Sequence, residues 1–175
     1  MKTLKEITMN FFLRLLFLFL LTSSAHASLC GDAIRDNSMA IGMRNYEMML
    51  QTADAQIQRC GHSAGRAYAR IISQKSTANA QLGRYAEGLK NVDLCLSNYP
   101  AYPTCLYWKA VIHRDLRQRP QFDRAKKLAI ESSNYFINNS SQILESTQAG
   151  DERLDLETDI EVARVVLQNL NLLTY

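Results

Sequence analysis

The most recognisable catalytic spacing lies at residues 61–65, which read Gly-His-Ser-Ala-Gly and match the pattern G-x-S-x-G. This pattern can hold a nucleophilic serine in a strained turn between a strand and a helix, and Asp93 and His113 follow it in the chain order of a Ser-Asp-His triad. The residues before the pattern have helical rather than strand character. We therefore interpret Gly61 as a helix stop and Ser63 as the N-cap of the next helix, and a serine hydrolase is the least favoured function.

Metal and cofactor chemistry has no support in the sequence. Beyond residue 27 the histidines are His62 and His113, and neither lies in an H-E-x-x-H or C-x-x-C pattern. No glycine-rich phosphate loop occurs either. We therefore predict a protein without a metal or cofactor, and one that is not an enzyme.

Residues 1–27 have the pattern of a secretory signal peptide. Its positively charged residues are Lys2, Lys5 and Arg14. An apolar run at 15–21 follows, and the segment closes with the small-x-small pattern Ala-His-Ala that ends at Ala27. We predict cleavage after Ala27, which leaves 28–175 as a single exported domain in the periplasm or outside the cell.

Three other interpretations of the N-terminus compete with a cleaved signal peptide. A membrane-spanning helix needs roughly 20 apolar residues, so the run at 15–21 is too short, and we expect no stable membrane span after cleavage. Lipid attachment at Cys30 is disfavoured because the large Leu29 directly precedes the cysteine. Met9 remains open as an alternative start, since the residues after it would still form a charged leader.

Composition limits the classes of protein. The chain has 175 residues, 47% of them hydrophobic and 21% charged, with 7 glycines and 3 prolines, as expected of one globular domain. Basic residues predominate in 28–127 and acidic ones in 128–175. Because no stacking-aromatic motif accompanies the basic residues, we predict solvated helix faces rather than a nucleic-acid surface.

Apolar spacing predicts helices throughout. Residues Tyr85, Leu89, Val92 and Leu96 are separated by steps of four, three and four, as one face of a helix requires. A second such stripe lies near the C-terminus and consists of Leu156, Ile160, Ala163, Leu167 and Leu170. No stretch alternates apolar and polar residues as a strand would, so the sequence predicts an all-α fold of short helices.

Segment 69–102 resembles a tetratricopeptide repeat, a helical hairpin of 34 residues. Gly83 closes the first helix, Tyr85 follows it, and Pro100 ends the unit. The small positions, where paired helices cross closely, hold Ser76, Gly88 and Cys95.

Two further units follow the same scheme less closely. The unit that begins at Pro103 has Phe122 in the aromatic position, and its small positions hold Ala110, Ala125 and Ser132. The unit at 30–61 is degenerate, with Tyr46 in the aromatic position but Asn37, Met49 and Gln56 at the small sites. The resemblance implies a short right-handed stack of antiparallel helical hairpins, and the helix from about Asp151 to Leu173 is predicted to cap it.

The resemblance also implies a binding surface. In this family the first helix of each unit lines a concave groove, which carries over to Arg70, Ser73, Thr77, Gln81, Thr104, Tyr107, Val111 and Arg114. Tyr107 and Arg114 are the expected anchors because aromatic and arginine side chains supply most interface energy.

The cysteines fit the hairpins. Antiparallel helices bring Cys30 and Cys60 to one edge of the first hairpin, while Cys95 and Cys105 flank the turn between the next two. We expect these two pairs to form disulfides in an oxidising compartment, although three connectivities are formally open. The longer Cys30 to Cys60 loop is expected to stabilise the chain more, by about 1 kcal/mol.

The function predicted from the sequence is an exported protein-protein interaction module that binds a peptide or partner protein in its groove. An envelope immunity or inhibitor protein, which neutralises a toxin or hydrolase, is the alternative.

Overall fold

The described part of the protein is built from helices alone. The computed structural model describes residues 29–63, 65–145, 147 and 151–175, with side chains described from residue 156 onward in the last range. The helices are α1 (29–42), α2 (Tyr46–Cys60), α3 (Gly65–Gln81), α4 (Tyr85–Asn98), α5 (Pro103–Asp115), α6 (Arg119–Asn138), α7 (Ser140–Glu145) and α8 (Asp151–Leu172). These residues contain no β-strand, so the predicted all-α fold is confirmed. The predicted signal peptide lies outside them.

The helices form a stack of hairpins. Within the hairpins, α3 packs along α4 and α5 packs along α6. Successive hairpins are joined by the packing of α2 against α3 and of α4 against α5. Helix α8 then packs against α6 and α5, in the position that the first helix of a further unit would take. The order of these contacts is that of a tetratricopeptide-repeat-like stack.

Two glycines end helices in the left-handed backbone region. Gly61 has φ of 70° after α2, and Gly83 has φ of 71° after α3. Residues with a Cβ pay a steric penalty at such angles, whereas glycine does not. The predicted helix stops are thus explained by backbone conformation. At the start of α2, the side chain of Asn45 accepts a hydrogen bond from the backbone N–H of Met48.

Gly88 lies where α4 closely crosses α3 and α5. A Cβ at this position would lie 2.8 Å from Cδ1 of Ile112, which is fully buried, and 3.7 Å from the backbone nitrogen of Ala80. The end of the Ile112 side chain would have to shift to admit a Cβ, so the small residue that the sequence pattern places here suits the crossing.

We expect Gly88→Leu to lower the free energy of unfolding by about 2 kcal/mol, because the added side chain overpacks the core. Urea titration measures the change. Gly42→Leu is the matched control, since a Cβ there has no atom within 4 Å. Equal losses in the two variants would contradict the close crossing.

Helix α8 buries a continuous apolar stripe. Its buried residues are Leu156, Ile160, Ala163, Val166 and Leu170, and Leu173 follows just beyond the helix end. The sequence placed Leu167 on this stripe, but Leu167 is only half-buried and Val166 takes the core position. The stripe contacts Phe122, Ala125 and Ala129 of α6 near its C-terminal end and Phe136 nearer its start. Helix α8 therefore covers the last hairpin, as predicted for a cap.

Both expected disulfide pairs are present. Cys30 is bonded to Cys60, with Cα atoms 4.7 Å apart, and Cys95 to Cys105, with Cα atoms 6.5 Å apart. The first pair is partly accessible at the edge of the α1–α2 hairpin, whereas both cysteines of the second pair have no exposed area. The connectivity agrees with the pairing expected from the hairpins.

Within the described ranges, none of the helices is long and apolar enough to cross a membrane.

Candidate functional site

The eight predicted contact residues lie on α3 and α5, which pack side by side. Six of them have accessible side chains, and one of the six, Arg70, is bound to a residue of α8. Gln81 is exposed, and Thr77, Thr104, Tyr107 and Arg114 are half-buried. We name these five residues the α3–α5 surface.

Two predicted contact residues are inside the fold. Ser73 is 3% exposed and its hydroxyl donates to the backbone oxygen of Arg70 at 2.7 Å, while Val111 is 7% exposed and belongs to the core shared by α5, α6 and α8. Helical spacing placed them on the groove side, but neighbouring helices cover them. Ser73 and Val111 lie beneath the α3–α5 surface and are not part of it.

Arg70, the remaining predicted contact residue, is held by the protein itself. Its Nη2 lies 3.3 Å from Oδ1 of Asp159, a residue of α8 that is only 2% exposed. Arg66, one turn earlier on α3, places Nε 3.4 Å from Oδ2 of the same carboxylate. The hydroxyl of Tyr102, at the start of α5, donates to Oδ1 at 3.0 Å. A side chain of the capping helix therefore occupies the position where the sequence predicted a partner.

Burial dominates the electrostatics of this cluster. It raises the pKa of the Asp159 carboxyl, while Arg70, the Tyr102 hydrogen bond and Arg66 act in the opposite direction. Burial also raises the pKa of the Tyr102 hydroxyl well above its ordinary value, and the negative charge of Asp159 adds to the effect. Because desolvation opposes the attraction between the charges, the net stabilisation by the cluster is smaller than its contacts alone suggest.

The raised pKa of Tyr102 has a measurable consequence. The Tyr102 hydroxyl makes its full contribution to the free energy of unfolding below the pKa of an unfolded tyrosine, about 10. This contribution is lost as the pH rises toward the higher pKa of the folded state. Above pH 10 we expect the wild type to lose up to about 1.4 kcal/mol of stability per pH unit relative to Tyr102→Phe. Urea titrations between pH 8 and about 11 measure the difference. Tyr135→Phe is the control, because Tyr135 is 59% exposed; a slope change in that variant would contradict the assignment.

Tyr107 and Arg114 are the most prominent groups of the α3–α5 surface. Tyr107 stands edge to face with Trp108 at a centroid distance of 5.3 Å, which fixes the direction of its ring. Burial raises the pKa of its hydroxyl, and the charge of Arg114 acts in the opposite direction. Arg114 pairs with Asp115 at 2.7 Å. Helix α5 therefore carries an oriented aromatic ring and, two turns later, a partly accessible guanidinium.

A buried polar network links α1 to α2 and α3. The amide of Asn37, on α1, donates to Oε1 of Gln56 at 2.7 Å and to Oε1 of Gln74 at 2.6 Å, and its oxygen accepts from the Thr52 hydroxyl at 3.1 Å. The sequence pattern counted Asn37 and Gln56 as mismatches of the first unit. The structure shows instead that polar side chains replace the close small-residue crossing there.

The residues with catalytic spacing do not form a triad. Ser63 lies on the exposed link between α2 and α3, with no strand in the described residues to build the required turn. Asp93 accepts from Lys109 at 2.8 Å, and Nδ1 of His113 lies 2.7 Å from the side-chain oxygen of Gln118. Across the described residues, no group of three or more His, Cys, Asp or Glu side chains is placed to hold a metal ion.

Comparison with known proteins identifies the fold. The structure is similar to the TPR2B domain of yeast Sti1, taken from a structure of its complex with pHsp70, with a TM-score of 0.55 and 13% sequence identity over 79% of this chain and 98% of that one. No family model and no curated protein matches the sequence. The protein therefore has a tetratricopeptide-repeat-like helical fold.

Proposed function

We propose that this protein is an exported interaction module that binds a peptide or partner protein on the α3–α5 surface. The observation that carries the proposal is the position of Tyr107 and Arg114, which lie two turns apart along one face of α5, a helix that packs side by side with α3. Oriented aromatic rings and arginines are the side chains that contribute most to binding energy. Thr77, Gln81 and Thr104 add polar groups around them.

The similarity to a domain seen in complex with pHsp70 supports binding as the role of this type of fold. The α3–α5 surface differs in one respect from the groove expected from the sequence. The Asp159 carboxylate of α8 forms ion pairs with Arg66 and Arg70. The partner therefore contacts the part of α3 that follows Arg70, near Thr77 and Gln81. The proposed binding surface is thus shorter than the full length of α3.

Export is the second part of the proposal. Its support is the signal-peptide pattern of residues 1–27 together with two disulfide pairs, which form and persist in oxidising compartments. We expect mass spectrometry of the exported protein to find Ser28 at its N-terminus. An intact residue 1, or a lipid on Cys30, would contradict this part.

Site-specific photocrosslinking in living cells tests the binding surface. A photoreactive phenylalanine analogue at position 107 or 77 is expected to give a discrete crosslinked product, which Arg114→Ala reduces at least about fivefold, since a hot-spot arginine contributes more than 1 kcal/mol. The matched control carries the analogue at Leu94, which is 40% exposed on α4. Equal crosslinking from positions 107 and 94 would refute the assigned surface.

A further inference from the structure

A cavity of about 340 Å³ lies at the edge of the stack, away from the α3–α5 surface. The turn between α4 and α5 forms one wall, and the end of α6, α7 and the first half of α8 form the others. Among the residues that line it are Arg66, Tyr99, Tyr135, Phe136, Ile143 and Leu156. Its volume falls within the range of small-molecule sites.

The wall of the cavity is aromatic and apolar. The rings of Tyr99 and Tyr135 each contact the ring of Phe136, with centroid distances of 6.3 and 6.2 Å. Ile143 and Leu156 complete the apolar lining. Tyr135 is 59% exposed, so the cavity reaches the surface at this residue. The accessible faces of the Tyr99 and Tyr135 rings provide stacking and edge contacts for a flat apolar molecule.

Arg66 is the charged side chain of this lining. Its guanidinium lies 5.7 Å from the centroid of the Tyr99 ring, and its Nη2 is 3.5 Å from the Tyr99 hydroxyl, at the outer limit of a hydrogen bond. Nε and Nη1 are buried and make no hydrogen bond. The side chain as a whole is 24% exposed and lines the cavity. Among the described lining residues it is the cationic donor, and its existing contact at Nη2 is weak.

The charge around Arg66 limits the ligand to a single negative charge. The Asp159 carboxylate already lies 3.4 Å from Nε and neutralises part of the guanidinium. A phosphate would bring two charges close to that buried carboxylate, whereas a monocarboxylate adds one acceptor on the Nη2 side.

From this geometry we propose that the cavity binds a small aromatic monocarboxylate, with its ring against Tyr99 and Tyr135 and its carboxylate on Nη2 of Arg66. The site is separate from the partner-binding surface and does not depend on it. The cation, the aromatic wall and the surface opening together define one class of ligand. Binding at this site brings α3, α6 and α8 into contact with the same molecule.

Titration of the purified protein with 2-naphthaleneacetate, followed by two-dimensional amide NMR, tests the proposal. We expect saturable binding with a Kd of about 1 mM or tighter, with the largest shifts at Arg66, Tyr99 and Ile143. The neutral 2-naphthaleneacetamide is expected to bind at least tenfold more weakly. Equal binding of the acid and the amide, equal binding of inorganic phosphate, or binding of a short peptide ending in Phe without binding of the acid would each overturn the proposal.

Two variants assign the binding to this cavity. Arg66→Gln is expected to weaken it at least tenfold, and Tyr135→Ala at least threefold. Because Tyr135 is largely exposed, its replacement tests the site even if Arg66→Gln fails to fold. Arg119→Gln is the matched control, since Arg119 lies over the ring of Tyr175 at 4.9 Å but does not line this cavity. Unchanged binding in Tyr135→Ala would refute the site.

Discussion

Replacement of all four cysteines by alanine is expected to lower the free energy of unfolding by about 6 kcal/mol. In the chain-entropy model, the bridge across 30 residues contributes about 3.6 kcal/mol and the bridge across 10 residues about 2.7 kcal/mol. Domains of this size are stable by about 5 to 15 kcal/mol, so the expected loss is a large fraction of the total. Urea titration at neutral pH measures the loss.

The two double variants separate the bridges. Chain entropy alone makes Cys30→Ala/Cys60→Ala the more damaging by about 1 kcal/mol. Cys95 and Cys105 are fully buried among Ala69, Ile72 and Tyr102. Their replacement therefore also removes packing contacts, which narrows the difference in stability loss between the two double variants. A quadruple variant within 2 kcal/mol of the wild type would contradict the contribution assigned to the bridges.

Leu170→Ala is expected to cost about 3 kcal/mol, because Leu170 has no exposed area and packs in the core that α8 shares with α5 and α6. Leu172→Ala is the matched control on the same helix, since Leu172 is 76% exposed, and we expect it to cost less than about 0.5 kcal/mol. Both values come from urea titration. If the two variants lose the same amount, α8 does not cover the stack as described.

Local sequence signals predicted most of the fold. The spacing of Tyr85, Leu89, Val92 and Leu96 gave α4, and Gly83 gave the end of α3, because amphipathic periodicity and left-handed backbone angles act within a few residues. The resemblance that these residues carry then supplied the hairpin order and the cysteine pairs. The six-residue α7 was not predicted, since so short a helix has too few residues to show a period.

The site was less predictable, because it depends on residues that are distant in the sequence. Helical spacing shows which residues share a face, but not that Asp159 reaches Arg70 across 89 residues. The same limitation explains why Ser73 and Val111 were placed on the groove, although neighbouring helices bury them. The cavity beside Arg66 was not foreseen either, as its lining comes from α3, the α4–α5 turn, α6, α7 and α8.

The contact of Asp159 with α3 changes how the protein is expected to unfold. In a stack where each unit touches only its neighbours, unfolding starts at an end and proceeds one unit at a time. Here the last helix is bonded back to the second hairpin, and the first hairpin is closed by Cys30 and Cys60. Fraying is therefore restrained at both ends, and an array that would otherwise melt gradually gains the cooperativity of a closed domain.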